Sequence, residues 1–499
     1  MMGAVKNKSN LTYMVIIAAV SVGIALRING ILQPAIWYDE SLPFAAARLP
    51  FFSMLEATKF TYAPPLWDII VWCSVRIFGQ NELALRLPSL VSSIFTLWLV
   101  YKIAGEFLLN EVQKAAVMAL VCILPYQIWT AQDGRVYAVF SALYLGAAWF
   151  LIRGRWWGLT ICSSLILYSH YAGPFYVLGL YAAATLTAGR SFKNIGTVII
   201  SGLASVLLFI PWVPVFIATL AEKFMVSPLT AFDLLVMFYR ITFADTLSQS
   251  ILLLLGLIAI AGCLLLAMVV MFVQINKIIR GKLATTAQDT TNAGIRYIQL
   301  SLIALFPLLV MVIWSIVWKN FIYYRLLIPL AIPLLLWMFF TLSNTIPTWS
   351  AKYLIIPIWL LLLVAGVANW SPTSRDGNMR HAIDMINLQW QPGDVIYHIT
   401  GTSYLPFSNY LGGKPMYLID ERQHGWLLQT SLQDMFGIKR SALEEISYKR
   451  AWIIYSNDSY VSESARRRAD QYIRNGVLID VVKAWQFAPI KVYLVVNKP

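Results

Sequence analysis

Two adjacent carboxylates, Asp39 and Glu40, follow Trp37 and Tyr38 directly after the first hydrophobic run, Tyr13 to Leu32. Acidic groups beside a membrane are costly to desolvate, and within a bundle they mark sites for chemistry or ions. A carboxylate held there can take the proton of an attacking hydroxyl or amine. Neighbours on a helix point about 100° apart, so the two cannot both face one atom. One of them is expected to act while the other braces it or caps the following helix. The plainer alternative is a helix start with Asp39 as N-cap.

Asp133 and Arg135 sit together in a short polar stretch between apolar runs. The carboxylate suits an acceptor or a metal and the guanidinium suits a phosphate, with a local salt bridge as the alternative. Tyr323, Tyr324 and Arg325 open a late apolar run that continues through Pro329 and Pro333. An arginine there can grip a lipid phosphate or snorkel to the interface. Arg27 has the same two readings, snorkelling favoured. Lys59 adds a cation to the first loop. His170 is the only histidine in the apolar part, and a satisfied structural role is favoured over a catalytic one. Asp39, Glu40 and Asp133 are the candidate metal ligands. A divalent ion is an option that no motif demands, and no Cys/His cluster has zinc spacing.

The elements that must position these residues are membrane helices. Of the 499 residues 59% are hydrophobic and 12% charged, with mean hydropathy +0.67, whereas soluble domains carry about 25% charged residues. The chain reads as a polytopic membrane protein. Its net charge of +14 comes from basic residues that punctuate the apolar spans, as cytoplasmic loops do, and this pattern argues against a nucleic-acid partner. Cys73, Cys122, Cys162 and Cys263 lie in apolar or interfacial stretches, so no disulfide framework is expected.

Lys6 and Lys8 are expected to lie in the cytoplasm, and the apolar run behind them reads as an uncleaved signal anchor rather than a signal peptide. The run from Pro65 to Gly79 is short for a span of about 20 residues and contains Asp68 and Arg76. It is expected to lie in the outer interface as an amphipathic helix, with Trp67 and Trp72 at that depth. The second span is then Pro88 to Leu108 and the third Ala115 to Ala131. The later spans return near Arg153 and Arg155, turn around Tyr168 to Tyr171, and return again at Arg190 and Lys193. A polar outer loop follows from Ala221 to about Ser248. The eighth span returns to Lys277, Arg280, Lys282 and Arg296, the ninth exits near Lys319, and Lys352 begins the last, which exits near Trp370. The expected architecture is mainly α: a helix bundle of about eleven spans, N-terminus inside and C-terminus outside. Residues 1–370 form the membrane domain with a large first outer loop, 33–87. Residues 371–499 form an extracytoplasmic domain. There, Asp394 to Thr400, Pro415 to Ile419 and Ala451 to Tyr455 read as strands and Ser462 to Asn475 as helix, with a final strand or hairpin over Gln486 to Val496. That alternation is α/β, without a glycine-rich phosphate loop. The domain suits acceptor binding, covering the site, or a structural cap.

The ordered motifs resemble the polyprenyl-phosphate-dependent glycosyltransferases of the GT-C fold, which include protein O-mannosyltransferases and lipid A aminoarabinose transferases. The resemblance is carried by Asp39-Glu40, Ala63 to Leu66, Leu85 to Ser89, Ala131 to Tyr137, Tyr168 to Tyr171 and Tyr324 to Pro329. It implies that Asp39 is the catalytic carboxylate, that Asp133 and Arg135 are the second-loop acidic and basic pair, and that Arg325 contacts lipid phosphate. Where the family often has a histidine before the Pro-Pro pair, this chain has Ala63.

The implied reaction is transfer of one sugar from a polyprenyl monophosphate to an acceptor hydroxyl or amine, with inversion, at the outer face of a bacterial plasma (inner) membrane. The acceptor is a lipid, a protein or a polysaccharide. Lys59, Asp133, Arg135, His170, Tyr324 and Arg325 are the substrate- and phosphate-binding candidates, and Asp39 and Glu40 the catalytic ones. Two rivals stay open: a transporter or flippase of lipid-linked sugars, and a polysaccharide polymerase or ligase using a diphosphate-linked donor. A transporter predicts charges at the membrane midplane and repeated broken helices; here the charges gather at one face.

Overall fold

A computed structural model describes residues 2–61, 63–107, 110–188, 192–221, 228–247, 251–262, 287–318, 320–345, 349–372, 379–419, 430–441, 449–456, 477–482 and 490–496, with isolated positions between 265 and 474. The expected basic landmarks Lys277, Arg280, Lys282 and Lys319, Cys263, and most of the helix expected over 462–475 lie outside the described residues.

The chain begins with α1 (Met2–Ile28), followed by three short helices, α2 (Tyr38–Ala46), α3 (Phe51–Thr58) and α4 (Leu66–Phe78). Long and medium apolar helices come next: α5 (Glu82–Glu106), α6 (Glu111–Cys122), α7 (Pro125–Gln132), α8 (Tyr137–Ile152), α9 (Trp156–Ser169), α10 (Gly173–Thr187), α11 (Phe192–Leu207) and α12 (Val213–Ala221). Then follow α13 (Ala231–Phe243), α14 (Ile251–Gly262), α15 (Ala287–Val317), α16 (Ile328–Thr345) and α17 (Trp349–Ala368). The C-terminal part holds α18 (Met379–Gln389), α19 (Gly401–Ser408) and α20 (Thr430–Met435) among six strands.

The chain forms two compact units, residues 1–29 with 89–370, and residues 30–88 with 371–499. The elements of the first are all helices among the described residues. Among the described residues, four helices are long and apolar enough to cross a membrane: Asn10–Ile28, Glu82–Glu106, Arg296–Val317 and Tyr324–Thr341. Two bent pairs bring the number to six, and four shorter apolar helices accompany them, against the eleven or so spans expected. The bend of one pair falls within the expected third span, where α6 and α7 meet at 54°. Pro125 has no N–H to continue the ladder and pushes the residue before it out of the helical region. The carbonyls freed at the end of α6 are taken up by Arg27. Its Nη1 donates to Cys122 O at 2.9 Å and Gly23 O at 2.8 Å, and its Nε to Ser93 Oγ at 2.9 Å. Arg27 is 1% exposed, so it does not snorkel as expected. Gly23 makes the approach possible, since a Cβ there would stand 2.8 Å from the Cβ of Cys122.

The polar loop expected from Ala221 to Ser248 contains α13. Thr230 caps it reciprocally with Asp233, whose backbone N–H donates to Thr230 Oγ1 at 3.1 Å while its carboxylate accepts from the Thr230 N–H at 2.9 Å. This Thr-x-x-Asp pattern is a helix-start signal legible in the sequence. After α13, Ala244 and Asp245 both adopt left-handed backbone (φ 53° and 56°).

The second unit centres on a six-stranded sheet: β1 (Val395–His398), β2 (Met416–Ile419), β3 (Arg440–Ser441), β4 (Arg450–Ser456), β5 (Val477–Val482) and β6 (Ile490–Val496). The order is β3-β2-β1-β4-β6-β5, parallel from β3 to β4 and antiparallel through β6 and β5. Each expected strand overlaps an observed one, β4 being one residue longer at each end than expected, and the expected α/β character holds. Alternate residues face opposite sides. Tyr397, Ile399, Ile453 and Tyr455 build one small cluster, whereas Ile396, Trp452 and Ile454 face a larger one with α18 and α19. That larger core also takes in Ala35, Ala45 and Ala57, with Leu42, Leu49 and Phe60 packed against it. The loop that carries Asp39 and Glu40 therefore shares a hydrophobic core with the C-terminal α/β fold.

Candidate active site

In the second unit, α2 begins at Tyr38, and its N-cap is Trp37 with no side-chain cap bond. Asp39 is thus in the first turn rather than at the cap. It is half-buried, and the helix N-terminus favours its charge. Glu40 is fully buried, 0% exposed, and faces Arg86, likewise 0% exposed. The guanidinium binds the carboxylate through both oxygens, Nε to Oε1 at 2.9 Å and Nη2 to Oε2 at 2.6 Å. Its other N–H groups go to the carbonyls of Ile31 (2.7 Å), Pro34 (3.0 Å) and Ala35 (3.1 Å). Arginine offers five N–H donors in a planar fork, and here each finds an acceptor. Arg86 thus ties the stretch before α2 to the helix itself. Sequence reasoning quoted Arg86 only within a motif; a lone arginine at the head of a long apolar run was the available signal.

Lys59 ends α3 on the surface and pairs with Glu56 at 2.6 Å. The expected interfacial helix over Pro65 to Gly79 forms as α4, closed by Gly79 at φ 85°. Its Asp68 is buried and accepts from Thr58 Oγ1 at 2.6 Å.

In the first unit, Asp133, Arg135, His170, Tyr324 and Arg325 gather around a set of tyrosines. Tyr324 and Arg325 form a short 3-10 turn, Tyr324–Leu327, that leads into α16. Arg325 is 7% exposed, and its Nε donates to Tyr324 Oη at 3.3 Å. The Arg240 guanidinium of α13 lies over the Tyr324 ring, 5.2 Å from its centroid, and pairs with Asp245 at 3.2 Å. Arg240 is a third arginine here that the sequence reading did not single out. Tyr126 meets Tyr324 edge to face at 6.0 Å, within electrostatic reach of Arg325, Tyr137 and Asp133. The Tyr126 hydroxyl is buried and has no hydrogen-bond partner among the described residues. Asp133 caps the end of α7 at 1% exposure, and its carbonyl accepts from the Arg135 N–H at 2.8 Å. Next to it, Gln132 donates to the carbonyls of Leu26 and Asn29 at the end of α1. The Arg135 guanidinium lies 5.9 Å from the Tyr137 ring. His170 ends α9, accepts from the Ala172 N–H through Nδ1 at 3.1 Å and stacks on Phe140.

Among the described residues, no three His, Cys, Asp or Glu side chains come together to hold a metal ion. The bidentate contact with Arg86 also occupies Glu40, one of the three metal candidates.

A family model for dolichyl-phosphate-mannose-protein mannosyltransferase matches residues 62–215. No curated protein matches the sequence. Among solved structures, ArnT from Cupriavidus metallidurans in the apo state is similar at TM-score 0.58 and 11% identity, over 99% of this chain and 98% of that one. The same protein bound to undecaprenyl phosphate gives TM-score 0.58 and 12% identity over 97% and 98% of the two chains. The apo oligosaccharyltransferase of Archaeoglobus fulgidus gives TM-score 0.50 and 11% identity over 96% and 76%. At such identities the structural likeness speaks for the fold. Together with the family match over residues 62–215, it gives this chain the expected GT-C membrane fold and a segment similar to dolichyl-phosphate-mannose-protein mannosyltransferases.

Proposed function

We propose that the chain transfers one sugar from a polyprenyl-monophosphate donor to an acceptor hydroxyl or amine at the outer membrane face, with Asp39 as general base. The observation that carries the reading is the buried Arg325 with Tyr324, Arg240 and the unsatisfied Tyr126 hydroxyl. A buried arginine beside further cations and an open donor suits an oxyanion, and the donor's phosphodiester, which gains charge as the sugar leaves, has that chemistry. ArnT, of the same fold, has been captured with undecaprenyl phosphate.

The acceptor oxygen or nitrogen attacks the anomeric carbon as the bond from that carbon to the phosphate oxygen breaks. The acceptor proton passes to Asp39, and the electron pair leaves with the lipid phosphate. Phosphate is a stable anion near neutral pH, so the leaving group needs positive charge rather than an acid; Arg325, with Arg135 and Arg240, supplies it. One direct displacement inverts the anomeric centre. Glu40, bound by Arg86, acts by holding α2. The membrane location makes both lipid-linked donor and lipid acceptor accessible, and protein or polysaccharide acceptors fit the same chemistry.

The test uses membranes containing the full chain and their native acceptors, with undecaprenyl phosphate carrying tritiated mannose, glucose or aminoarabinose. Asp39→Asn is expected to lower transfer at least 100-fold, the range of a lost general base. Turnover at the wild-type rate would sink the base assignment.

A further inference from the structure

Glu82 opens α5 and sits in a network that no role assigned so far explains. Its Oε1 accepts from Arg380 Nη2 at 2.6 Å and from the Tyr410 hydroxyl at 2.9 Å. The Tyr410 oxygen in turn accepts from the Ile36 N–H at 2.7 Å. Arg380 also donates Nε to Gln33 O at 3.2 Å and Nη2 to Leu32 O at 3.3 Å, while its guanidinium lies 5.4 Å from the Tyr410 ring centroid. Arg48, two residues beyond α2, reaches Asn409 Oδ1 at 2.7 Å. Burial first, then the Glu82 carboxylate, raises the Tyr410 hydroxyl far above its ordinary range, so it stays protonated and donates. Hydrogen bonds in such a chain polarise one another.

Arg380 and Tyr410 belong to the α/β part of the unit, and residues 32–36 lead into α2. The short stretch before Asp39 is therefore bonded by two side chains from the far end of the sequence as well as by Arg86. α19 packs directly against α2, and the two share the larger core.

We propose that Tyr410 and Arg380 are positioning residues for sugar transfer: through Glu82 and the backbone of residues 32–36, the C-terminal domain fixes where Asp39 stands. The proposal rests on the reading of Asp39 as the base. It gives the domain a catalytic purpose even if it never touches acceptor. A displacement of about 1 Å in a reacting group can cost about 100-fold in rate, so a modest loosening of this stretch is readable in kcat.

The experiment uses the full-length enzyme in nanodiscs with the tritiated undecaprenyl-phosphate sugars and membrane acceptors named above, and binding of undecaprenyl phosphate alone. Tyr410→Phe keeps the ring over Arg380 and removes the hydroxyl. It is expected to lower kcat about tenfold, with KM for the donor and affinity for undecaprenyl phosphate within about twofold of wild type. Arg380→Lys is expected to retain more activity than Arg380→Ala. In an Asp39→Asn background, Tyr410→Phe is expected to cost nothing further. Hydrogen exchange over residues 36–46 is expected to quicken in Tyr410→Phe, a readout independent of the sugar. Asp39→Asn at wild-type turnover would defeat the base reading. Asp39→Asn inactive while Tyr410→Phe and Arg380→Ala keep wild-type kcat would overturn the positioning proposal alone. A parallel loss of donor affinity and melting temperature would also overturn it, because a merely structural role predicts that pattern.

Discussion

The pairing of Arg86 with Glu40 makes a quantitative prediction. Both side chains are 0% exposed, and two hydrogen bonds of 2.9 and 2.6 Å join them. Arg86→Met keeps an apolar stem but leaves the buried Glu40 charge without its partner, which costs about 3–5 kcal/mol. Glu40→Gln retains one neutral acceptor and replaces charge-assisted bonds by neutral ones, at about 1–2 kcal/mol. The double variant no longer buries an uncompensated charge. It still loses the three donations to Ile31, Pro34 and Ala35, at about 1 kcal/mol each. The double is then expected to cost about 3 kcal/mol, less than the roughly 4–7 kcal/mol sum of the singles, with a coupling of about 1–4 kcal/mol. Equilibrium unfolding of the four proteins in mixed detergent and SDS micelles measures this cycle. A coupling below about 0.5 kcal/mol would refute the idea that the pair organises the start of α2.

Two further predictions concern a cation and a pH response. Arg325→Ala should lower kcat/KM for undecaprenyl-phosphate sugars about 100-fold, with Arg325→Lys recovering only part because an ammonium cannot bind a phosphate through two parallel N–H groups; steady-state transfer kinetics decide this. His398 in β1 is fully buried, and burial holds it down to about 3 from 6.5. The unfolded chain therefore binds this proton first on acidification, so stability falls by about 1.4 kcal/mol per pH unit from about 6.5 down to about 3. His398→Gln should flatten that part of the melting profile measured from pH 7 to pH 4.

Much of the fold was legible because membrane insertion leaves strong signals. Apolar length located α1, α5, α15 and α16, and runs of β-formers located β1, β2, β4 and β6. Breaks within spans were harder to read. Pro125 was visible, but its effect depends on Arg27 supplying donors to carbonyls nearly a hundred residues away. The helix α13 was hidden by polar flanks, although Thr230 and Asp233 announced its start. The individual site residues were legible as types of chemistry, while their partners were not. Glu40 and Arg86 are 46 residues apart, and Arg240 reaches Tyr324 from a separate helix. No local pattern encodes such pairings; only the packing of the helices makes them.

The shared core of the second unit also bears on the order of synthesis. Ile36 and Tyr410 are 374 residues apart. At roughly 5–20 residues per second, the loop with Asp39 waits about 20–75 s for the groups that secure it. Ala35, Ala45 and Ala57 cannot complete their hydrophobic contacts until the strands of the last segment have formed. A ribosome-bound or prematurely terminated chain thus holds its acidic loop without this support, while its first unit has the bulk of its helices. An unfinished copy thus lacks the hydrogen bonds and apolar contacts that hold residues 32–46 in place.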